Sequence, residues 1–165
     1  MDRPLRGVTN ERTAILLRQW VRADIVRIEY TNSQTEDLKL KDLPEAERMD
    51  RWMMTTEATF LFLWISLLFS IIEGMNEGGV DVLSTFAIDE NYYKRFKRFR
   101  DANFHIGSSF WDARFHEFLE LDLAVKTKEI HFKIGPMIKS ELESRVQEGR
   151  VRSRSMSQEP SNMKK

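Results

Sequence analysis

Arg100, Asp101, Asn103 and His105 stand within the six residues "RDANFH", just before a Gly107-Ser108-Ser109 break. On an ideal helix Asp101 and His105 are four apart and share a face. A carboxylate beside an imidazole favours its protonated form and fixes its orientation. With an ordinary pKa of about 6.5, such a histidine exchanges protons near neutral pH. Arg100 adds a permanent cation suited to binding a phosphate and stabilising its transition state. These groups are sufficient equipment to transfer a phosphodiester within RNA, with the 2′-hydroxyl of the substrate as nucleophile and no metal. Ideal geometry leaves Arg100 about 140° around the helix from His105. Convergence therefore needs a frayed helix end or a histidine from a second subunit.

The same residues have plainer uses. Arg98 can pair with Asp101 at three-residue spacing, Arg100 can be solvated, and His105 can cap a helix C-terminus. The run Lys94, Arg95, Lys97 and Arg98 is either a solvated face or a track leading RNA phosphates towards Arg100. Tyr92, Tyr93 and Phe104 can stack on bases or pack in a core.

The elements that must position these groups read as helices. The chain has 165 residues with 26 basic and 26 acidic side chains, no cysteine, 7 glycines and 4 prolines. That length suits one domain with a real core. Balanced charge confines any anion-binding surface to a local patch. The lack of cysteine removes disulfides, thiolate metal sites and cysteine nucleophiles. Asn10 can cap a first helix over about 11–30, with Ile15, Leu16, Trp20, Ile25 and Ile28 as its apolar residues. Pro44 suits the first turn of a second helix running through Met53 and Leu63 to about Met75. Its second half, "ATFLFLWISLLFSII", is apolar nearly all round. It is a little short for a membrane span, which needs about 20 residues. A buried central helix is the better expectation, with membrane association as a distant third reading.

A third helix is expected from Asp89 or Glu90. Tyr92, Phe96, Phe99, Asn103 and Ile106 form one stripe along it, in which Asn103 is a polar residue at a core position. More helix follows from Phe110, with Gly135-Pro136 expected to kink or split it. The bundle is assigned to residues 1–148. A basic, serine-rich tail over 149–165 is expected to be disordered. No dinucleotide, phosphate-loop, zinc or calcium motif is present, nor a GxSxG elbow. His116 with Glu117, Glu120 and Asp122 has no characteristic ligand spacing, so no metal and no cofactor are expected. The N-terminus lacks the apolar core of a secretory signal, and a cytoplasmic location is expected.

"RDANFH" resembles the R-x4-6-H motif of the HEPN superfamily, with a polar residue directly after the arginine. Helix order over about residues 10–148 is similar too, with the motif late in the third principal helix. The resemblance implies an all-α up-down bundle of four to five helices that cleaves RNA as a metal-independent homodimer. The two motifs would meet across the dimer interface. It implies Arg100 on the scissile phosphate, His105 as acid–base or phosphate-contacting residue, and Asp101 as the residue orienting them. Lys94, Arg95, Lys97, Arg98 and Asn103 would bind RNA. A role in toxin–antitoxin pairs, defence or stress response would follow, with a neutralising antitoxin partner. The continuation His105-Ile106-Gly107 departs from the H-x-Y pattern of the toxins paired with minimal nucleotidyltransferases. The alternative is a catalytically inactive HEPN-like module that binds RNA or protein, or dimerises.

Overall fold

A computed structural model describes residues 4–5, 7–33, 42, 44–104 and 123–157. Within its helices it describes the backbone alone at 45–46, 49–50, 123–124 and 152–157. Among the described residues there are six helices and no strand: α1 (Asn10–Ser33), α2 (Glu45–Met53), α3 (Thr56–Glu77), α4 (Val82–Phe86), α5 (Glu90–Phe104) and α6 (Leu123–Ser157). The all-α bundle expected from composition and periodicity is what forms.

Its direction of travel follows from which residues meet. Arg12 near the start of α1 donates to the Gly74 carbonyl at the end of α3 (3.0 Å), while Tyr30 at the other end stacks on Trp64. Phe69 meets Tyr93 early in α5, and Phe62 meets Phe99 late in it. Asp24 bonds His131, and Arg145 on α6 reaches back to Asn10. Each of these pairs is antiparallel. The four long helices α1, α3, α5 and α6 therefore run up, down, up and down.

α3 is the central helix. It touches all five others, and Phe69, Leu68, Ile71, Ile72 and Met75 are fully buried. It is long and apolar enough to cross a membrane by length and composition, yet 61% of its most apolar window is buried inside the bundle. The apolar run thus serves as core, because α1, α5 and α6 take up most of its faces, leaving Phe60, Leu63 and Leu67 half-buried.

Three expectations are corrected by local structure. The single helix from Pro44 to Met75 is two, α2 and α3. The Thr55 side chain accepts from the Ala58 amide (3.2 Å) and starts a new helix there, a role for which threonine is well suited. Between α3 and α5 stands the short α4, capped by Asp81, whose side chain accepts from the Ser84 amide (3.1 Å), and closed by Ala87 in the left-handed region. Gly135-Pro136 neither splits nor ends α6, which is one element from 123 to 157. Pro136 lies on the exposed side, where water can serve the Phe132 carbonyl that loses its helical partner. α6 also continues through Gly149, where the tail is expected to begin, and is helical to Ser157.

The buried face of α1 is a fourth correction. α1 buries Thr13, Leu16 and Ala23 and half-buries Trp20 and Tyr30. Ile15, Ile25 and Ile28 are exposed, Ile25 to 55%. Apolar residues occur on both sides of this helix, the isoleucines lying together opposite Leu16, Trp20 and Ala23, so apolarity did not mark the face. Close approach to α3 and α6 did, and it selects small residues: a Cβ on Gly135 would lie 2.5 Å from the Trp20 ring.

Candidate functional site

α5 begins as expected, with Asp89 accepting from the Tyr92 amide (2.6 Å). Its stripe packs on α3. Phe96 and Phe99 are fully buried, tilted against Phe69 at 5.1 Å and edge-on to Phe62 at 5.3 Å. Tyr92 packs edge-on to Phe96 and Tyr93 against Phe69, so both rings are engaged in the bundle rather than displayed for base stacking. Phe104 is different, being 52% exposed at the helix end.

Asn103 continues the stripe and meets a polar partner. Its amide donates to the Ser66 hydroxyl (3.0 Å) and to the Phe62 carbonyl (3.4 Å). Ser66 is completely buried on α3. A polar residue at a core position thus answers another on the facing helix, and this use of the amide accounts for Asn103 without RNA.

Arg100 projects to α3 as well. Its two terminal nitrogens lie 3.1 and 3.2 Å from the two carboxylate oxygens of Glu73, a bidentate pair. Its Nε is 2.8 Å from Asp101 Oδ1, close enough for an ion pair but not aligned as a hydrogen bond. The guanidinium also sits over the Phe69 ring at 5.2 Å. At 20% side-chain exposure Arg100 is neither solvated nor open. Two carboxylates and an aromatic face hold it. Asp101 therefore acts on the arginine. The Asp101–His105 pair expected from spacing lies outside the described residues, as do His105 itself and His116, Glu117, Glu120 and Asp122.

Lys94, Lys97 and Arg98 are exposed and Arg95 is half-buried. Lys94 pairs with Glu90 at 3.2 Å. The basic run thus presents charge to solvent upstream of Arg100. No group of His, Asp and Glu suited to a metal occurs among the described residues.

The histidine that the structure does place is His131, which the sequence marks only by its position in an apolar stripe with Ile134 and Ile138. It is fully buried. Its Nδ1 is 3.2 Å from the Trp64 indole nitrogen and its Nε2 is 3.0 Å from Asp24 Oδ1. An indole N–H only donates, so Nδ1 accepts and the proton sits on Nε2, which donates to Asp24. Arg27 donates to the same Asp24 oxygen (2.9 Å). Trp20 stacks on the imidazole at 5.6 Å and donates to the His131 carbonyl (3.3 Å). Burial lowers the His131 pKa and outweighs the hydrogen bond and charge of Asp24, which raise it; Arg27 adds to the lowering. For Asp24, burial acts to raise the pKa, but hydrogen bonds from Arg27 and His131 and their charges leave it lowered. A neutral imidazole with both nitrogens committed and no exposed atom has no proton to trade with a substrate. It ties α1, α3 and α6 together.

Comparison of the chain with family models, with curated proteins and with solved structures finds no match.

Proposed function

We propose that this chain is a HEPN-like helical module that works by binding, as a homodimer, rather than by cleaving RNA. The observation that carries this reading is the clamp on Arg100. A phosphate approaching the guanidinium would have to displace Glu73 and would meet Asp101 at close range, so repulsion opposes the contact. The dimer is supported by α1. Ala14, Arg18, Val21, Ile25, Ile28 and Asn32 are all exposed and recur at steps of four and three, the spacing of a coiled-coil seam. In an antiparallel pairing that sets Val21 of each copy against Ile25 of the other, Arg18 falls opposite Ile28 and beside Glu29, which gives that register a charge complement.

One observation favours the second reading, a metal-independent endoribonuclease. Arg100 lies towards the C-terminal end of α5, five residues before His105, with the basic run behind it. The two readings need different dimers. α1 and α5 pack on α3 through different faces, so a dimer through α1 does not bring two Arg100 side chains together, whereas a composite cleft requires it.

The chain lacks cysteine, so single introduced cysteines report cleanly. Ile25→Cys is expected to be joined into a dimer by a short bifunctional maleimide, which spans the stagger of the two copies, and Phe104→Cys is not; the reverse pattern would favour the composite cleft. Purified protein is expected to leave single-stranded RNA intact in EDTA. Arg100→Ala is expected to lower stability by about 1–3 kcal/mol, between the values for exposed and buried pairs, as read by chemical denaturation. EDTA-resistant cleavage that Arg100→Ala and His105→Ala each abolish would overturn the binding reading.

A further inference from the structure

The side of α3 away from Arg100 carries a cavity of about 400 Å³ between α1, α3 and α6. That is within the range of small-ligand sites, roughly 300–1,000 Å³. One wall is the Trp64 ring with Tyr30 stacked on it, their centres 5.8 Å apart. The Trp64 indole N–H is committed to His131 Nδ1 (3.2 Å), which fixes that wall in place. Phe132 and Val125, each about half exposed, complete the apolar lining. The polar lining is Arg27, Thr31 and Lys128, and no carboxylate is among the described lining residues. Thr31 donates its hydroxyl to the Arg27 carbonyl (2.9 Å), so the two cations are left to meet a charged ligand.

The charges narrow the choice of ligand. Arg27 Nε and Nη2 both reach one oxygen of Asp24, at 2.9 and 2.8 Å. That edge of the guanidinium fork is occupied. The edge through Nη1 is not used by Asp24 and has the paired N–H geometry that fits a carboxylate. The guanidinium lies over the Phe132 ring at 5.2 Å, so an anion bound there is brought beside an aromatic face. Lys128 is exposed and adds the second cation. Asp24 cancels one of the two cations, which leaves one net positive charge, and a monoanion balances it. An aliphatic chain would use the apolar area but not the ring faces. A planar ring gains from offset stacking on them.

We infer that this cavity binds an aromatic monocarboxylate, its ring against Trp64, Tyr30 and Phe132 and its carboxylate at Arg27 and Lys128. The event is binding alone, with no bond made or broken. Arg100 takes no part in it.

The test titrates the full chain by calorimetry with three probes: 2-naphthoate, its uncharged amide 2-naphthamide, and decanoate, which keeps the carboxylate on an aliphatic chain. Naphthoate is expected to bind saturably. The amide is expected to bind about tenfold more weakly for want of the charge-assisted contacts. Decanoate is expected to bind at least about fivefold more weakly for want of stacking. Lys128→Met is expected to weaken naphthoate by about fivefold to tenfold and leave the amide unchanged. Phe132→Ala is expected to weaken both aromatic probes, as loss of a stacking face does. Both positions are substantially exposed, so the variants are expected to melt like wild type. Absence of saturable naphthoate binding, equal affinity for naphthoate and its amide, decanoate binding as tightly as naphthoate, or binding that neither variant alters overturns the proposal.

Discussion

Replacing His131 with alanine is expected to destabilise the bundle by about 3–5 kcal/mol, the range for losing a large buried side chain with its hydrogen bonds. Three effects act together. The ring leaves a cavity between Trp20 and Trp64. The Trp64 indole N–H loses its acceptor inside the core. Asp24 keeps Arg27 but loses a second donor. Chemical denaturation of the variant beside wild type measures the loss. A change below about 1 kcal/mol, the scale of an ordinary surface substitution, would mean that the His131 contacts contribute little.

The same histidine makes stability depend on pH in a definite sense. Its pKa is lowered in the folded state, so between that value and its ordinary 6.5 the unfolded chain binds the extra proton. Its contribution is complete above about pH 6.5 and is lost as pH falls below it, at up to about 1.4 kcal/mol per pH unit. Asp24, also lowered, loses its contribution only further down, below its ordinary 3.8. Proton NMR of the imidazole gives the direct check. Trp64→Phe removes the N–H that keeps Nδ1 deprotonated, and the His131 pKa is then expected to rise towards its ordinary value.

Gly135→Ala is expected to cost about 1–3 kcal/mol, although alanine is the better helix former. The propensity gain is about 1 kcal/mol. Against it, the new Cβ would lie 2.5 and 2.8 Å from two carbons of the Trp20 ring, and overpacking of that kind costs about 1–3 kcal/mol or more. The ring cannot turn away cheaply, because it stacks on His131 and bonds its carbonyl. Residue 135 also precedes Pro136, and the helical region is disfavoured before proline once a Cβ is present. The thermal midpoint of Gly135→Ala decides the sign. A midpoint at or above wild type would show that α1 and α6 separate at little cost.

The sequence by itself determined that the fold is all-helical and which helix stands at the centre of the bundle. α3 could only be a core helix or a span, because "FLFLWISLLFSII" has no polar face. The α5 stripe through Tyr92, Phe96 and Phe99 was legible because those rings alternate with charges at helical spacing. Even the anomaly at Asn103 was visible as a polar residue out of place. Tertiary structure alone decided what these residues meet. Asn103 answers Ser66, and Arg100 answers Glu73, from a helix that the sequence places far away. The face of α1 could not be read because its isoleucines and its Leu16–Trp20 side are both apolar, and steric room for Trp20 at Gly135 chose the buried side. His131 and Asp24 are 107 residues apart, and no local spacing announces such a pair. Local periodicity is a property of one helix, whereas the fate of a charge depends on the opposite helix. That is why the motif at Arg100 was readable as chemistry and its arginine proved to be clamped into the fold.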